Sequence, residues 1–191
     1  MEIRLSHIAK QYDQKMVLKD FNAVFPGERM NCLMGASGIG KTTAIHIIMG
    51  LVKPDFGEVL GCKGRRIAAV FQEDRLIEHW NAMKNIRLVC DKEVTRESIR
   101  QELGRLGIED CDDKQVIDFS GGMRRRVAIV RALLAKSEIV ILDEPFRGLD
   151  EALKLRVIDY IKEKTDNKTV IVVTHEKEDV KLLNANLVTM A

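Results

Sequence analysis

The sequence predicts an α/β fold, a parallel sheet covered on both faces by helices. Two observations carry that expectation. From Gly122 onward, short apolar runs such as Ile139–Leu142 and Val170–Val173 alternate with amphipathic stretches, the pattern of strands buried on both sides. Upstream, the apolar run Met30–Met34 passes through a glycine-rich turn straight into a helical stretch, which is a strand-turn-helix unit.

The opening third reads mainly as strands. Ile3 and Leu5 alternate with polar residues, Val17–Phe25 is strand-like, and Met30–Met34 is a short run ending at glycine. Lys41–Leu51 reads as a helix with Ile45, Ile48 and Met49 on one face, stopped by Gly50 and Pro54. A turn at Gly61–Gly64 leads to a strand at Ile67–Phe71. The charged stretch Asp74–Asp118 has helical spacing at Ile99, Leu103 and Leu106 and reads as a small helical insert. Helix to Ala135, strand Glu138–Leu142, helix from Glu151, strand Thr169–Val173, helix near Glu176–Leu183 and strand Leu187–Met190 complete the order.

Composition narrows the class. The 191 residues, 46% hydrophobic and 31% charged, describe a globular chain, and a net charge of +2 from 31 basic and 29 acidic residues selects no polyanionic partner. Cys32, Cys62, Cys90 and Cys111 are far apart and lack metal-ligand spacing, so reduced thiols are expected, in keeping with the cytosol. Met1-Glu2-Ile3-Arg4 carries no basic start followed by an apolar run, and no signal peptide is expected. The apolar runs fall far short of the roughly 18 residues that span a bilayer. A membrane role would need another chain to supply the membrane.

Gly35-Ala36-Ser37-Gly38-Ile39-Gly40-Lys41-Thr42 fits G-x-x-x-x-G-K-[ST], between a strand and a helix. Glycines let successive amides face one concavity, and the helix start favours an anion. Lys41 is therefore expected at the β- and γ-phosphates of ATP, and the Thr42 hydroxyl at Mg2+. The strand Ile139–Leu142 ends in Asp143 and Glu144, delivering two carboxylates to the edge where open α/β sheets bind ligands. Asp143 suits the Mg2+ shell, and Glu144 suits a role in orienting or deprotonating the attacking water. Phe119-Ser120-Gly121-Gly122-Met123 opens another helix. Ser120 reads as its N-cap, or the glycines as a second anion site. Arg124-Arg125-Arg126 reads as a solvated first helical turn rather than a nucleic-acid patch.

The phosphate loop, Gln72, Phe119–Met123, Asp143-Glu144, Gly148-Leu149-Asp150 and His175 occur in the order and spacing of ATP-binding cassette (ABC) ATPases. The resemblance spans essentially the whole chain. Phe119–Met123 resembles the signature Leu-Ser-Gly-Gly-Gln, with Phe for Leu and Met for Gln, and Gln72–Trp80 resembles importers of the nitrate, sulfonate and taurine type.

The resemblance implies a P-loop NTPase (RecA-like) parallel-sheet core with an N-terminal antiparallel β subdomain and a short helical insert. It implies one nucleotide-binding domain over 1–191, with 74–118 as the insert and the flanking segments 1–73 and 119–191 as β subdomain plus core. Two copies would close head to tail. ATP would lie between Gly35–Thr43 of one and Ser120, Gly121 and Gly122 of the other, with Tyr12 stacked on adenine. Gln72 would touch Mg2+ or the attacking water, His175 would hold the γ-phosphate, and Asp150 would serve the dimer seam while also capping a helix. Trp80, the only tryptophan, belongs either to a docking groove or to the core of the insert. The function implied is the ATP-hydrolysing subunit of an ABC transporter, an importer, at the inner face of the membrane through polytopic membrane subunits. The alternative is a soluble ABC ATPase acting on a protein assembly. No nucleic-acid partner is expected.

Overall fold

In the computed structural model, which describes residues 2–109 and 111–190, the chain begins with a long antiparallel pair. Strand β1 (Ile3–Tyr12) turns at Asp13-Gln14 into β2 (Lys15–Phe25), with Asp13 at φ 52° in the tight connection. Strand β3 (Met30–Met34) leads through the glycine turn to helix α1 (Lys41–Ile48). The helix stops three residues before the expected Leu51, because Gly50 takes the left-handed conformation at φ 71° and ends it. Strand β4 (Phe56–Leu60) returns to pair with β1, giving a three-stranded antiparallel sheet in the order β2-β1-β4.

The remaining elements are β5 (Ile67–Val70), α2 (Ala82–Arg87), α3 (Arg96–Arg105), a 3-10 turn at Val116–Asp118, α4 (Gly121–Leu134), β6 (Ile139–Asp143), α5 (Glu151–Lys164), β7 (Thr169–Thr174), α6 (Lys177–Leu182) and β8 (Asn186–Thr189). Strands β5, β6, β7, β3 and β8 form, in that order, a second sheet whose pairings are all parallel. Every residue of β6 and β7 is buried, which is why those segments read as unbroken apolar runs.

The pleat nevertheless sorts them. Ile139, Ile141, Ile171, Val173 and Leu33 face a core shared with α1 and the antiparallel sheet. Val140, Leu142, Val170, Val172 and Cys32 face another, shared with α2, α3, α4 and α5. Each fully buried Ile, Val or Leu contributes about 1.5–3 kcal/mol relative to exposure. Burial pushes the Cys32 thiol up to about 12, so at neutral pH it is a small apolar side chain. All four cysteines are unpaired thiols. Among the described residues, no helix is long and apolar enough to cross a membrane.

Candidate functional site: a phosphate loop beside two carboxylates

The loop between β3 and α1 depends on glycine at positions 35, 38 and 40. Gly38 and Gly40 sit at φ 76° and 112°, a region that L side chains avoid. A Cβ at Gly40 would meet Leu18 Cδ2 at 2.7 Å, and one at Gly35 would meet the Met190 carbonyl at 2.7 Å. Gly40 is the N-cap of α1 and offers no capping side chain. The first-turn amides, those of Lys41, Thr42 and Thr43, thus face a prospective anion. The Lys41 ammonium donates to the carbonyls of Gly35 and Ala36, at 2.9 and 2.8 Å, so it stands across the loop's mouth. Ile39 packs its side chain into the core beneath.

Opposite the loop, β6 ends at Asp143, which is 2% exposed. Thr42 Oγ1 donates to Asp143 Oδ2 at 3.1 Å. Burial raises the Asp143 carboxyl above its usual range, the Thr42 bond pulls it back, and the Glu144 charge pushes it up again. Hydroxyl and carboxylate form a pair of hard oxygen donors that fits a divalent cation. The next residue, Glu144, adopts φ 48° while its N–H donates to the Val173 carbonyl at 3.0 Å. Its Oε1 lies 3.9 Å from Nδ1 of His175, just past the end of β7.

A cleft of about 940 Å³ is lined by Ser37, Gln72, Glu144, Gly148 and His175 among others. A neighbouring cavity is lined by Gly35, Ala36, Ser37, Lys41, Glu144 and His175. The structure thus brings the phosphate loop, Gln72, Glu144 and His175 to one edge, with Thr42 and Asp143 bonded there.

Other expected site residues lie elsewhere. Tyr12, at the end of β1, is 43% exposed and lines neither cavity. Ser120, Gly121 and Gly122 line neither either. Ser120 is the N-cap of α4, accepting from the Met123 N–H at 3.2 Å. Gly122 packs beside the Gly148 carbonyl. Asp150 caps α5, accepting from the Leu153 N–H at 2.9 Å. Trp80 is 37% exposed, which removes it from the core of the insert, and Ile77, Leu88, Val89 and Ile117 are also exposed.

The reading of Arg124–Arg126 as a solvated turn is corrected. Arg125 is 5% exposed and donates to the carbonyls of Phe71 and Gln72 at 2.6 and 2.5 Å. Arg124 donates to the Phe119 carbonyl at 3.0 Å, and Arg126 to those of Gly122 and Leu106. The carbonyls of Phe71, Gln72, Leu106 and Phe119 lie outside strands and helices and require donors, and these guanidiniums supply them. Three cations at a helix start, opposing its dipole, were the available signal.

A further cluster had no sequence signal. Lys154 on α5 pairs at 2.5 Å with both Glu176 and Asp179, flanking His175. The Thr174 hydroxyl donates to the Asp179 carboxylate and accepts from the Glu176 N–H.

The sequence profile of the ABC transporter family matches residues 18–147. The spermidine/putrescine import ATP-binding protein PotA of Spiroplasma citri is 34% identical, over 98% of this chain and 58% of its own. The sulfate/thiosulfate import ATP-binding protein CysA of Synechocystis sp. is 29% identical, over 100% of this chain and 58% of its own. The chain therefore spans somewhat over half the length of these relatives. The dimeric structure of MJ0796, a bacterial ABC transporter cassette, matches at TM-score 0.84 and 28% identity, covering 94% of this chain and 90% of that one. A bacterial Atm1-family ABC exporter with ATP bound shares the fold, at TM-score 0.87 and 18% identity, over 100% of this chain and 37% of that one. With the family profile extending from within β2 to beyond the carboxylate pair, and with phosphate loop, Gln72, Glu144 and His175 at one sheet edge, the chain belongs to the ABC transporter family.

Proposed function

We propose that the chain is the ATP-binding and ATP-hydrolysing cassette of an ABC transporter, an importer, working as a head-to-tail pair of copies. The observation that carries this reading is the division of the site. Phosphate loop, carboxylates and His175 share one edge, while the second glycine-rich helix start, Ser120–Gly122, lies outside their cavities. A second anion site with no use inside its own chain suits the nucleotide of another copy.

In this reading the amides of Gly35–Thr43 and the Lys41 ammonium hold the phosphates of ATP. Thr42 and Asp143, with Gln72, hold Mg2+, which when bound neutralises phosphate charge. Glu144 orients the attacking water and accepts its proton, and His175 holds the γ-phosphate. Ser120, Gly121 and Gly122 grip the same γ-phosphate from the other copy, Tyr12 stacks on adenine, and Asp150 lies at the seam. Residues 74–118 act as an insert that docks polytopic membrane subunits, its exposed Ile77 and Trp80 being suited to an apolar partner. The cassette then resides at the inner face of the membrane. Its relatives differ in cargo by name, polyamine and sulfate among them, so cargo selection is assigned to the partners.

Glu144→Gln tests the reading. It is expected to lower turnover by about 10²–10⁴-fold and to leave an ATP-bound dimer visible by size exclusion. A variant that stays monomeric at high ATP and hydrolyses normally would remove Glu144 from the chemistry. Co-purification with a polytopic membrane protein tests transport itself.

A further inference from the structure

Four carbonyl oxygens in the turn that carries Gln72 are taken up by one helix. Arg125 of α4 donates to those of Phe71 and Gln72, and Arg131 of α4 to those of Asp74 and Arg75 at 3.0 and 2.8 Å. Strand β5 ends at Val70, so these carbonyls lie beyond its ladder. Arg125 Nε also lies 3.2 Å from Asp74 Oδ1. The Arg75 guanidinium stacks 3.7 Å above the Phe71 ring and closes the turn on itself. Burial pushes the Asp74 carboxyl up, and Arg125 is the first charge opposing that rise.

The arrangement is specific to a guanidinium. Its planar fork donates to two adjacent carbonyls while its charge lies beside a carboxylate, a combination that a lysine ammonium does not reproduce. Arg125 lies five residues after Ser120 on the same helix. One end of α4 therefore carries the signature, and its next turn holds the backbone of Gln72.

We propose that Arg125 is a positioning residue that joins Gln72 to the signature helix as one rigid body, so that a nucleotide gripped at Ser120–Gly122 sets the position of Gln72 at the chain's own phosphate loop. This rests on the roles given above to Gln72 and to the signature. Its consequence is that the two ATP sites of a closed pair act in concert, each signature reporting its occupancy to the other site through Arg125.

A double-mutant cycle tests it. Arg125→Met keeps the apolar stem and removes the fork. It is expected to lower kcat about tenfold, the lower end of what loss of a supporting partner costs, with the KM for ATP changed less than twofold. In a Gln72→Ala background the same substitution should cost nothing further, and Arg125→Lys should not restore kcat. Hydrogen exchange at residues 71–76 should accelerate in Arg125→Met irrespective of turnover. Additive losses in the cycle, or unchanged exchange at 71–76, overturn the proposal. If the wild type hydrolyses ATP and Glu144→Gln does not, the reading of the site survives that failure. A wild type without ATPase activity sinks that reading and this inference with it.

Discussion

Thr42 and Asp143 stand 101 residues apart in sequence, and Thr42 Oγ1 donates to Asp143 Oδ2 at 3.1 Å. One hydrogen bond thus links the start of α1 to the end of β6 and brings two hard oxygen donors to one place. Asp143 reaches it at a cost, because its carboxyl is buried and raised above the usual value of 3.8.

That cost is measurable. A group whose pKa is raised by folding holds its proton better in the native state, so stability falls as pH rises through the window from 3.8 upward. Asp143→Asn removes this slope. The variant is expected to melt at a higher temperature than the wild type at pH 7 without nucleotide, the difference shrinking toward pH 4. Mg2+-dependent hydrolysis should meanwhile fall by roughly 100-fold or more, the scale of a lost metal ligand. Thermal melts across pH, with and without ATP, check both halves.

Ser120 separates a structural role from one between copies. Its hydroxyl caps α4, so Ser120→Ala should cost about 1 kcal/mol in unfolding. Calorimetric ATP affinity of the single chain is expected to stay within twofold. In a Glu144→Gln background, the dimer peak in size exclusion should be lost. An undiminished dimer would confine Ser120 to its cap.

Lys154 pairs with two carboxylates that follow His175, those of Glu176 and Asp179. Asp179 is 2% exposed, so Lys154→Met leaves a buried carboxylate uncompensated and should destabilise the chain by about 3–5 kcal/mol. Glu176 is half-exposed and turns to water without comparable loss. Adding Asp179→Asn to Lys154→Met should recover most of the stability in denaturant titrations. If the single and double variants unfold alike, Asp179 is not where the cost arises.

Legibility in the sequence followed burial. β6 and β7 were plain because burial on both faces leaves them uniformly apolar. The glycine turn and Asp143-Glu144 were readable as a strand-to-helix loop and a carboxylate pair at a strand end, which is where the structure has them. His175, by contrast, was singled out only by the family resemblance. β4 was not read, since four of its five residues are exposed and Gly57 breaks the pattern. That glycine sits at φ 89°, where a Cβ would collide with the carbonyls of Ser6 and His7, a requirement set by β1. α2 is six residues long, capped by Asn81, too short for periodicity to register. Arg125 was misread because its acceptors lie 53 and 54 residues upstream, and no local pattern places them.

The parallel sheet is a wall between two apolar compartments, with α1 on one side and α2, α3 and α4 on the other. Substitutions among Ile99, Leu103 and Leu106 therefore disturb packing that the phosphate-loop helix does not share. A packing fault there loosens the compartment of α2, α3, α4 and α5 and leaves that of α1 filled. The wall acts as a firebreak, confining such a fault to the side on which it arises.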